Sequence, residues 1–212
     1  MKKRTLALIL ALVLVFGAAV GGTIAYLTSN DSVTNTFTVG KVEITLDEAK
    51  VDEYGVAVTP AARVEKNTYK LIPGHTYTKD PTVTVVKGSE KSYVKMTVTF
   101  SNARELDAIF APDGANLTHI FNGYDATNWI AKGNTEDTVK NTRTYEFWYK
   151  ETVGAPTADV ALDALFDSIT VPGTITNEQL ETIKDMTITV NAYAIQADGF
   201  TAAADAWANF GA

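Results

Sequence analysis

Few residues in this sequence have side chains that could carry out catalysis or hold a metal ion. The chain has 212 residues, two histidines and no cysteine, which excludes disulfides, thiolate zinc sites and thiol nucleophiles. His75 is followed by Thr-Tyr-Thr and His119 by Ile-Phe-Asn, so neither belongs to the H-E-x-x-H pattern of zinc peptidases. A Ser-His-Asp triad or a transition-metal site would need carboxylates that the fold brings to one of them. We therefore expect no catalytic residue, metal site or cofactor, and both histidines in turns or at the surface.

The densest group of carboxylates is Asp47, Glu48, Asp52 and Glu53. Their spacing does not match the D-x-D-x-D-G calcium loop, so we interpret them as a solvated acidic loop within an irregular segment 47–67. Weak Ca²⁺ binding by that loop is the alternative. Phosphate-binding loops, G-x-G-x-x-G and G-x-S-x-G are missing from the sequence, which removes the motif-based arguments for nucleotide binding and for hydrolase activity.

Aromatic residues are concentrated near the middle of the chain, at Trp129, Phe147, Trp148 and Tyr149. Such rings could line a carbohydrate groove on a monomeric surface-binding module. We favour a place in the core, because aromatic side chains dominate protein cores in general.

The overall composition is that of a globular β-rich protein. Lys and Arg number 18 against 25 Asp and Glu, for a net charge of −7, and this acidic balance argues against nucleic-acid binding. We count 30 threonines, and Thr is a β-branched residue that favours strands.

The N-terminus has the order of a secretory signal peptide. Lys2–Arg4 is a positive n-region, Leu6–Val20 is an uncharged apolar run, and small residues follow. Thr23 at −3 and Ala25 at −1 predict cleavage before Tyr26. The alternative is a retained membrane anchor, because residues 6–27 carry no charge and a spanning helix needs about 20 residues.

Cleavage would leave residues 26–212 as the mature chain, outside the cytoplasm. Removing residues 1–25 subtracts three positive charges and leaves 15 positive and 25 negative residues, a net −10. We expect a secreted or cell-surface protein that meets a signal peptidase and touches the membrane only through the signal segment.

Alternating apolar and polar residues predict strands along most of the mature chain. The first lies before Gly40 and has Val33, Asn35, Phe37 and Val39 on one face. Further strands are predicted at 42–46, 82–86, 92–100, 142–151, 168–171 and 185–196. Short helices are predicted at 103–110, 159–166, 176–184 and 201–210. Together with a Pro73-Gly74 turn, these elements predict one all-β domain, an antiparallel β-sandwich with short helical insertions, preceded by a signal helix.

The segment GGTIAYLTSNDSVTNTFTVGKVEITL, residues 21–46, resembles exported fibre-forming proteins of the camelysin/TasA type in Gram-positive bacteria. The matching positions are Gly21-Gly22-Thr23, Ala25, Tyr26, Asn35-Thr36-Phe37 and Gly40. A second match is Leu71-Ile72-Pro73-Gly74 followed by Lys79-Asp80, and a third is the Asn191–Gln196 run. Residues 101–184 carry none of this likeness.

The resemblance implies a signal processed by a SipW-type peptidase, a jelly-roll sandwich and assembly into extracellular fibres of a biofilm matrix. In that family the mature N-terminal strand completes the sheet of the next subunit, so the expected partners are further copies of the chain and other matrix proteins. Some members carry a metallopeptidase label. Because this sequence lacks a zinc motif, an exported metallopeptidase is kept only as an alternative and we expect no enzyme.

Strand donation is physically consistent with residues 26–39. The 13 residues from Tyr26 to Thr38 span about 43 Å when extended, enough to reach a neighbour. A sheet edge that lacks a strand offers unpaired N–H and C=O groups, and Val33, Phe37 and Val39 would fill its side-chain pockets. Such a contact is head-to-tail and therefore propagates. The alternative is that the same strand pairs within its own subunit.

Overall fold

Three antiparallel sheets dominate the computed structural model of this chain, which describes residues 40–110 and 121–211. The described residues belong to one compact unit that begins at Gly40. The predicted signal and its cleavage site (Thr23, Ala25 and Tyr26) lie outside the described residues, as do His119 and the candidate donor residues Val33, Asn35, Phe37 and Val39.

Eleven strands and three helices are described. The strands are β1 (Ile44–Ala49), β2 (Arg63–Val64), β3 (Thr76–Thr78), β4 (Thr82–Val85), β5 (Ser92–Ser101), β6 (Phe121–Asn122), β7 (Trp129–Asp137), β8 (Thr142–Tyr149), β9 (Val160–Ala161), β10 (Ser168–Thr170) and β11 (Ile188–Gln196). The helices are α1 (Ala103–Phe110), α2 (Asn177–Thr182) and α3 (Ala203–Ala208).

The strand orders are β2-β1-β4-β9, β3-β10-β6 and β11-β5-β8-β7, and every strand pair is antiparallel. We call β11-β5-β8-β7 the large sheet. Within the described residues, no helix combines the length and hydropathy needed to span a bilayer.

The large sheet is organised by β5, which alternates strictly between buried and half-buried residues. Val94, Met96 and Val98 face the core with no exposed area. Lys95, Thr97 and Thr99 therefore point to the opposite side, which we call the outer face, because successive side chains of a strand alternate. The strand predicted at 92–100 is confirmed.

The core lies under the inner face of the large sheet. It combines β5 with Val83 and Val85 of β4, Phe147 of β8 and Leu106 of α1, all nearly or fully buried. Burial of each such side chain contributes about 1.5–3 kcal/mol. The expected all-β, antiparallel, sandwich-like architecture is confirmed for the described residues.

Helix α2 begins with the capping box expected from its sequence. The Thr176 hydroxyl accepts a hydrogen bond from the Gln179 N–H at 3.2 Å, and the Gln179 side chain accepts one from the Thr176 N–H at 2.9 Å. This reciprocal pair satisfies two of the free donors at the start of a helix. Helix α1 matches its predicted bounds.

The helix predicted at 159–166 is wrong. Val160 and Ala161 pair instead with Val85 and Thr84 of β4 as strand β9, and the Asp159 carboxylate accepts the Lys87 N–H at 2.9 Å. The spacing of the apolar residues in this segment predicted a helix, but hydrogen bonding to the edge of β4 makes Val160 and Ala161 a strand. Strand β7 was not predicted, because its sequence WIAKGNTED lacks clear alternation; pairing with β8 creates it.

Candidate strand-acceptor groove

A cavity of about 700 Å³ lies between β1 and β11, which also contact each other. Its walls are formed by residues 46–48, 65–69 and 184–190, and we call it the β1–β11 groove. Residues 184–190 line it without a gap. Four of these residues, 184–187, lead into β11, and the first three residues of the strand, Ile188–Val190, border the groove. The groove therefore lies at the N-terminal end of β11.

The outer edge of β11 is open in the described part of the chain. β11 pairs with β5 over its whole length, from Ile188 opposite Phe100 to Gln196 opposite Ser92. On its other side, no strand of the described residues pairs with it. This edge offers a row of backbone N–H and C=O groups that could form ladder hydrogen bonds with a further strand. The row begins beside the groove, at Ile188–Val190.

A second open edge belongs to β1. Its residues 44–47 pair with β4 on one side, whereas β2 pairs on the other side only with Glu48 and Ala49. Within residues 40–110 and 121–211, no strand pairs with Ile44–Asp47 on that side. The groove is thus bordered by two strand edges that can each accept a partner.

The apolar residues around the groove are only partly covered. Leu46, Tyr69, Met186, Ile188 and Val190 pack against the core but keep part of their surface exposed. Their neighbours on β5 are fully buried. This difference leaves apolar surface that a further strand would remove from water, at about 25 cal/mol per Å².

One end of the groove is fixed by a buried ion pair. The Lys79 Nζ lies 2.5 Å from a carboxylate oxygen of Glu48, and both residues are over nine-tenths buried. Asn67 donates to the other Glu48 oxygen at 2.9 Å and to the Ala49 carbonyl at 2.8 Å, and its own carbonyl accepts the Val51 N–H at 3.1 Å. The network anchors the segment that carries Tyr69 to β1.

Tyr69 is held neutral beside this network. Burial and, secondarily, the charge of Glu48 raise the pKa of its phenol above the ordinary value. The neutral hydroxyl donates to the Thr78 carbonyl at 3.2 Å. The wall of the groove therefore keeps a hydrogen-bonded phenol rather than an anion at physiological pH.

The expected solvated acidic loop is wrong for Asp47 and Glu48, which belong to β1. Asp47 accepts from the Arg63 guanidinium at 2.5 Å, and Asp80 accepts from it at 2.8 Å. Asp52 instead shapes a turn, because its carboxylate accepts the N–H groups of Tyr54 and Val56, each at 2.9 Å. Strand pairing and a nearby arginine decide these environments, and neither is visible in the local spacing.

Pro73 and Gly74 occupy the centre of a turn between the groove and β3. The His75 N–H donates to the Ile72 carbonyl at 3.2 Å, and Gly74 has φ 74°. Pro at i+1 and Gly at i+2 with positive φ define a type II turn. This turn reverses the chain between Leu71, which lines the groove, and Tyr77.

His75 lies at the surface of this turn. Its Nε2 is 2.5 Å from the Tyr54 carbonyl oxygen, and its ring meets Tyr77 edge-on at 4.8 Å between centroids. Within residues 40–110 and 121–211, no three His, Cys, Asp or Glu side chains are grouped as a metal-ligand set.

The clustered aromatic residues divide between the two faces of the large sheet. Trp129 and Phe147 are each 1% exposed and belong to the core. Tyr149 packs edge-on against Trp129 at 5.0 Å. Trp148 points to the outer face and is half-buried there.

No family model, curated protein or solved structure matches this chain. The role of the β1–β11 groove is therefore argued from its geometry. Sequence reasoning identified a possible donor strand but not the acceptor. The available signal was the run ITVNAYAIQ at 188–196, nine residues with high strand propensity and no charge, Pro or Gly.

Proposed function

We propose that this protein is a secreted structural subunit that assembles into extracellular biofilm-matrix fibres. Each copy donates residues 26–39 to the β1–β11 groove of the next copy. The observation that carries the proposal is the outer edge of β11, with which no other strand of residues 40–110 and 121–211 pairs and whose first residues border that groove.

The two edges of the large sheet differ in how they resist pairing. β7 carries a register shift between Ala131 and Gly133, and it has charged side chains at Lys132, Glu136 and Asp137. Bulges and charges are the usual means by which an edge strand avoids a new partner. β11 has neither, since its register is continuous and its nine residues are uncharged. The contrast supports β11 as an edge that accepts a strand.

The predicted donor fits the edge of β11 in length and the groove in pattern. Residues 33–39 would span about 23 Å as an extended strand, which fits within the nine-residue edge of β11. Val33, Phe37 and Val39 would cover the half-buried apolar wall. Their burial contributes about 5–8 kcal/mol before ordering costs, at about 1.5–3 kcal/mol each.

The described domain begins at Gly40, beside Glu90. Gly40 packs against the Glu90 side chain, and the Lys41 carbonyl accepts the Glu90 N–H at 2.8 Å. Glu90 is close to Ser92, which pairs with Gln196 at the C-terminal end of β11. The groove lies at the other end of β11, beside Ile188–Val190, so Gly40 and the groove are at opposite ends of this strand. Contacts between unlike ends continue from copy to copy, which favours a fibre over a closed dimer.

The finer features follow from the same proposal. A strand that pairs with β11 and β1 would join the β2-β1-β4-β9 sheet to the large sheet in a jelly-roll-like sandwich. Residues 1–25 would be a signal removed before Tyr26 by a SipW-type peptidase, and other matrix proteins would be further partners. The resemblance to camelysin/TasA-type proteins supports this part, and no catalytic role is proposed.

Electron microscopy and light scattering of purified protein test the proposal. The chain 26–212 should form fibres. A variant with Phe37→Asp should stay monomeric, because a charge cannot enter the apolar wall without cost. Thr36→Asp is the matched control, since its side chain is predicted to face away and fibres should persist. Equal fibre formation by the Phe37→Asp chain would refute strand donation.

A further inference from the structure

A second cavity, of about 240 Å³, lies on the outer face of the large sheet. It is lined by Lys132, Gly133, Asn134 and Thr135 of β7 and by Thr144 and Glu146 of β8. It shares no lining residue with the β1–β11 groove. We call it the Gly133 notch, and the fibre proposal does not use it.

The notch exists because a side chain is missing from a row of the outer face. Gly133 lies opposite Glu146, next to the register shift of β7, and has φ 113°. A Cβ at this position would find no heavy atom within 4 Å. The backbone conformation favours glycine, and its small size leaves open space beside the Glu146 carboxylate.

The groups around the notch include both hydrogen-bond donors and acceptors. One Glu146 oxygen accepts the Trp148 indole N–H at 2.5 Å, and the other faces the Lys95 ammonium at 3.4 Å. A carboxylate offers about four lone-pair sites, so Glu146 retains acceptor capacity. The Lys132 ammonium lies 4.2 Å from the centre of the Trp148 ring, a cation–π contact that leaves its N–H donors available.

Three threonines stand side by side across the sheet and end at the notch. The strand registers place Thr99 beside Thr144 and Thr144 beside Thr135. The hydroxyls of Thr99 and Thr144 are 2.9 Å apart. Neighbouring strands are about 4.8 Å apart, a spacing close to the advance of an extended glycan chain per sugar unit.

This chemistry fits a neutral saccharide. Adjacent hydroxyls of a sugar ring each donate and accept, and they pair well with a carboxylate flanked by hydroxyl and ammonium groups. One positive and one negative side chain line the notch, which gives no net attraction to a polyanion, and the whole chain is acidic. We propose that the Gly133 notch binds one sugar unit of an extended neutral polysaccharide, with the following units lying across the threonine row.

Saturation-transfer NMR tests saccharide binding by the chain 26–212, whether it is monomeric or assembled into fibres. The probes are soluble cello-, chito-, manno- and β-1,3-gluco-oligosaccharides. At least one of these sugars should bind at millimolar concentration. Thr135→Val removes a hydroxyl, and Glu146→Gln removes the charge and replaces one acceptor oxygen by an N–H donor. Both keep the side-chain shape, so each should weaken binding about five-fold. Thr157→Val, a matched change at an exposed position outside the notch, should leave the affinity unchanged.

Circular dichroism should show that all three variants keep the fold. Absence of transfer to every oligosaccharide would overturn the inference, and so would binding that neither Thr135→Val nor Glu146→Gln weakens. Because the notch and the β1–β11 groove have separate residues, either result is independent of fibre formation.

Discussion

The Lys79 ammonium and the Glu48 carboxylate form an ion pair at 2.5 Å, with only 8% of each side chain exposed. The pair holds β1 against the chain that leads into β4, at one end of the β1–β11 groove. Because both charges have lost most of their hydration, each depends on the other. The shape of the groove wall therefore rests on a contact between residues 31 positions apart.

Breaking this pair should destabilise the fold. Lys79→Met leaves Glu48 buried without its partner, and we expect a loss of about 3–5 kcal/mol in the free energy of unfolding. The double variant Lys79→Met/Glu48→Leu removes both charges and should recover most of that loss. Urea unfolding followed by fluorescence measures both values. A single variant as stable as the parent would show that the pair is not a structural requirement.

Gly55 and Gly88 provide a matched test of close packing. Both have positive φ, 74° and 77°, so alanine costs about 1–2 kcal/mol in backbone conformation at either site. At Gly55 the new Cβ would also lie 2.6 Å from the Tyr77 Cα, whereas at Gly88 it meets nothing within 4 Å. Gly55→Ala should therefore lower the melting temperature much more than Gly88→Ala. Equal shifts in calorimetry would contradict the packing of Gly55 on Tyr77.

The junction between α1 and the β7–β8 turn should respond to pH. Asn141 donates to the Glu105 carboxylate at 2.7 Å, and this hydrogen bond is the main cause that lowers the pKa of Glu105. A carboxyl group whose pKa is lower in the folded state stabilises the fold above its unfolded pKa of about 4.3, and this contribution disappears as the pH falls through the folded value.

Asn141→Gly keeps the positive φ of that position but removes the side chain. NMR titration should then show the pKa of Glu105 rising toward its ordinary value, because the largest of the causes that lower it is gone. The stability difference between the parent and the variant should be largest at neutral pH and shrink in acid. An unchanged Glu105 titration would rule out the hydrogen bond as the cause.

A charge on the accepting edge should block assembly. Val190→Lys puts an ammonium group at the half-buried wall of the β1–β11 groove, and an inward-pointing charge is a natural way to prevent edge pairing. The long lysine stem lets the charge reach solvent, so the monomer should remain folded. Val139→Lys, at a residue that is 94% exposed, should assemble normally. Light scattering distinguishes the two, and fibres from the Val190→Lys chain would argue against β11 as the acceptor.

The sequence was informative where local pattern and tertiary structure agree. β5 alternates between apolar and polar residues because one face is core and the other is open. The Thr176–Gln179 capping box is local by nature, and it forms as its spacing predicts. Such elements can be predicted without knowing which distant residues they contact.

The failures occur where a distant partner decides the structure. Val160-Ala161 becomes a strand because β4 offers an edge, and Glu48 becomes buried because Lys79 reaches it. The β1–β11 groove is assembled from segments that are far apart in the chain, including residues 46–48, 65–69 and 184–190. The strand propensity of 188–196 was readable, but nothing in the sequence states that its second edge is open.

Disulfide trapping tests strand donation most directly, because the natural chain has no cysteine. Two chains are mixed, one with Cys at Thr34, Thr36 or Thr38 in the donor and the other with Cys at Thr187 or Thr189 beside the groove. Cross-strand Cβ atoms lie about 4.5–5.5 Å apart, so at least one pair should oxidise. We predict a disulfide-linked dimer that contains one chain of each kind. A third chain carries both cysteines. If the mixture gives no mixed dimer while this third chain forms an internal disulfide, the strand pairs within its own subunit and strand donation is contradicted.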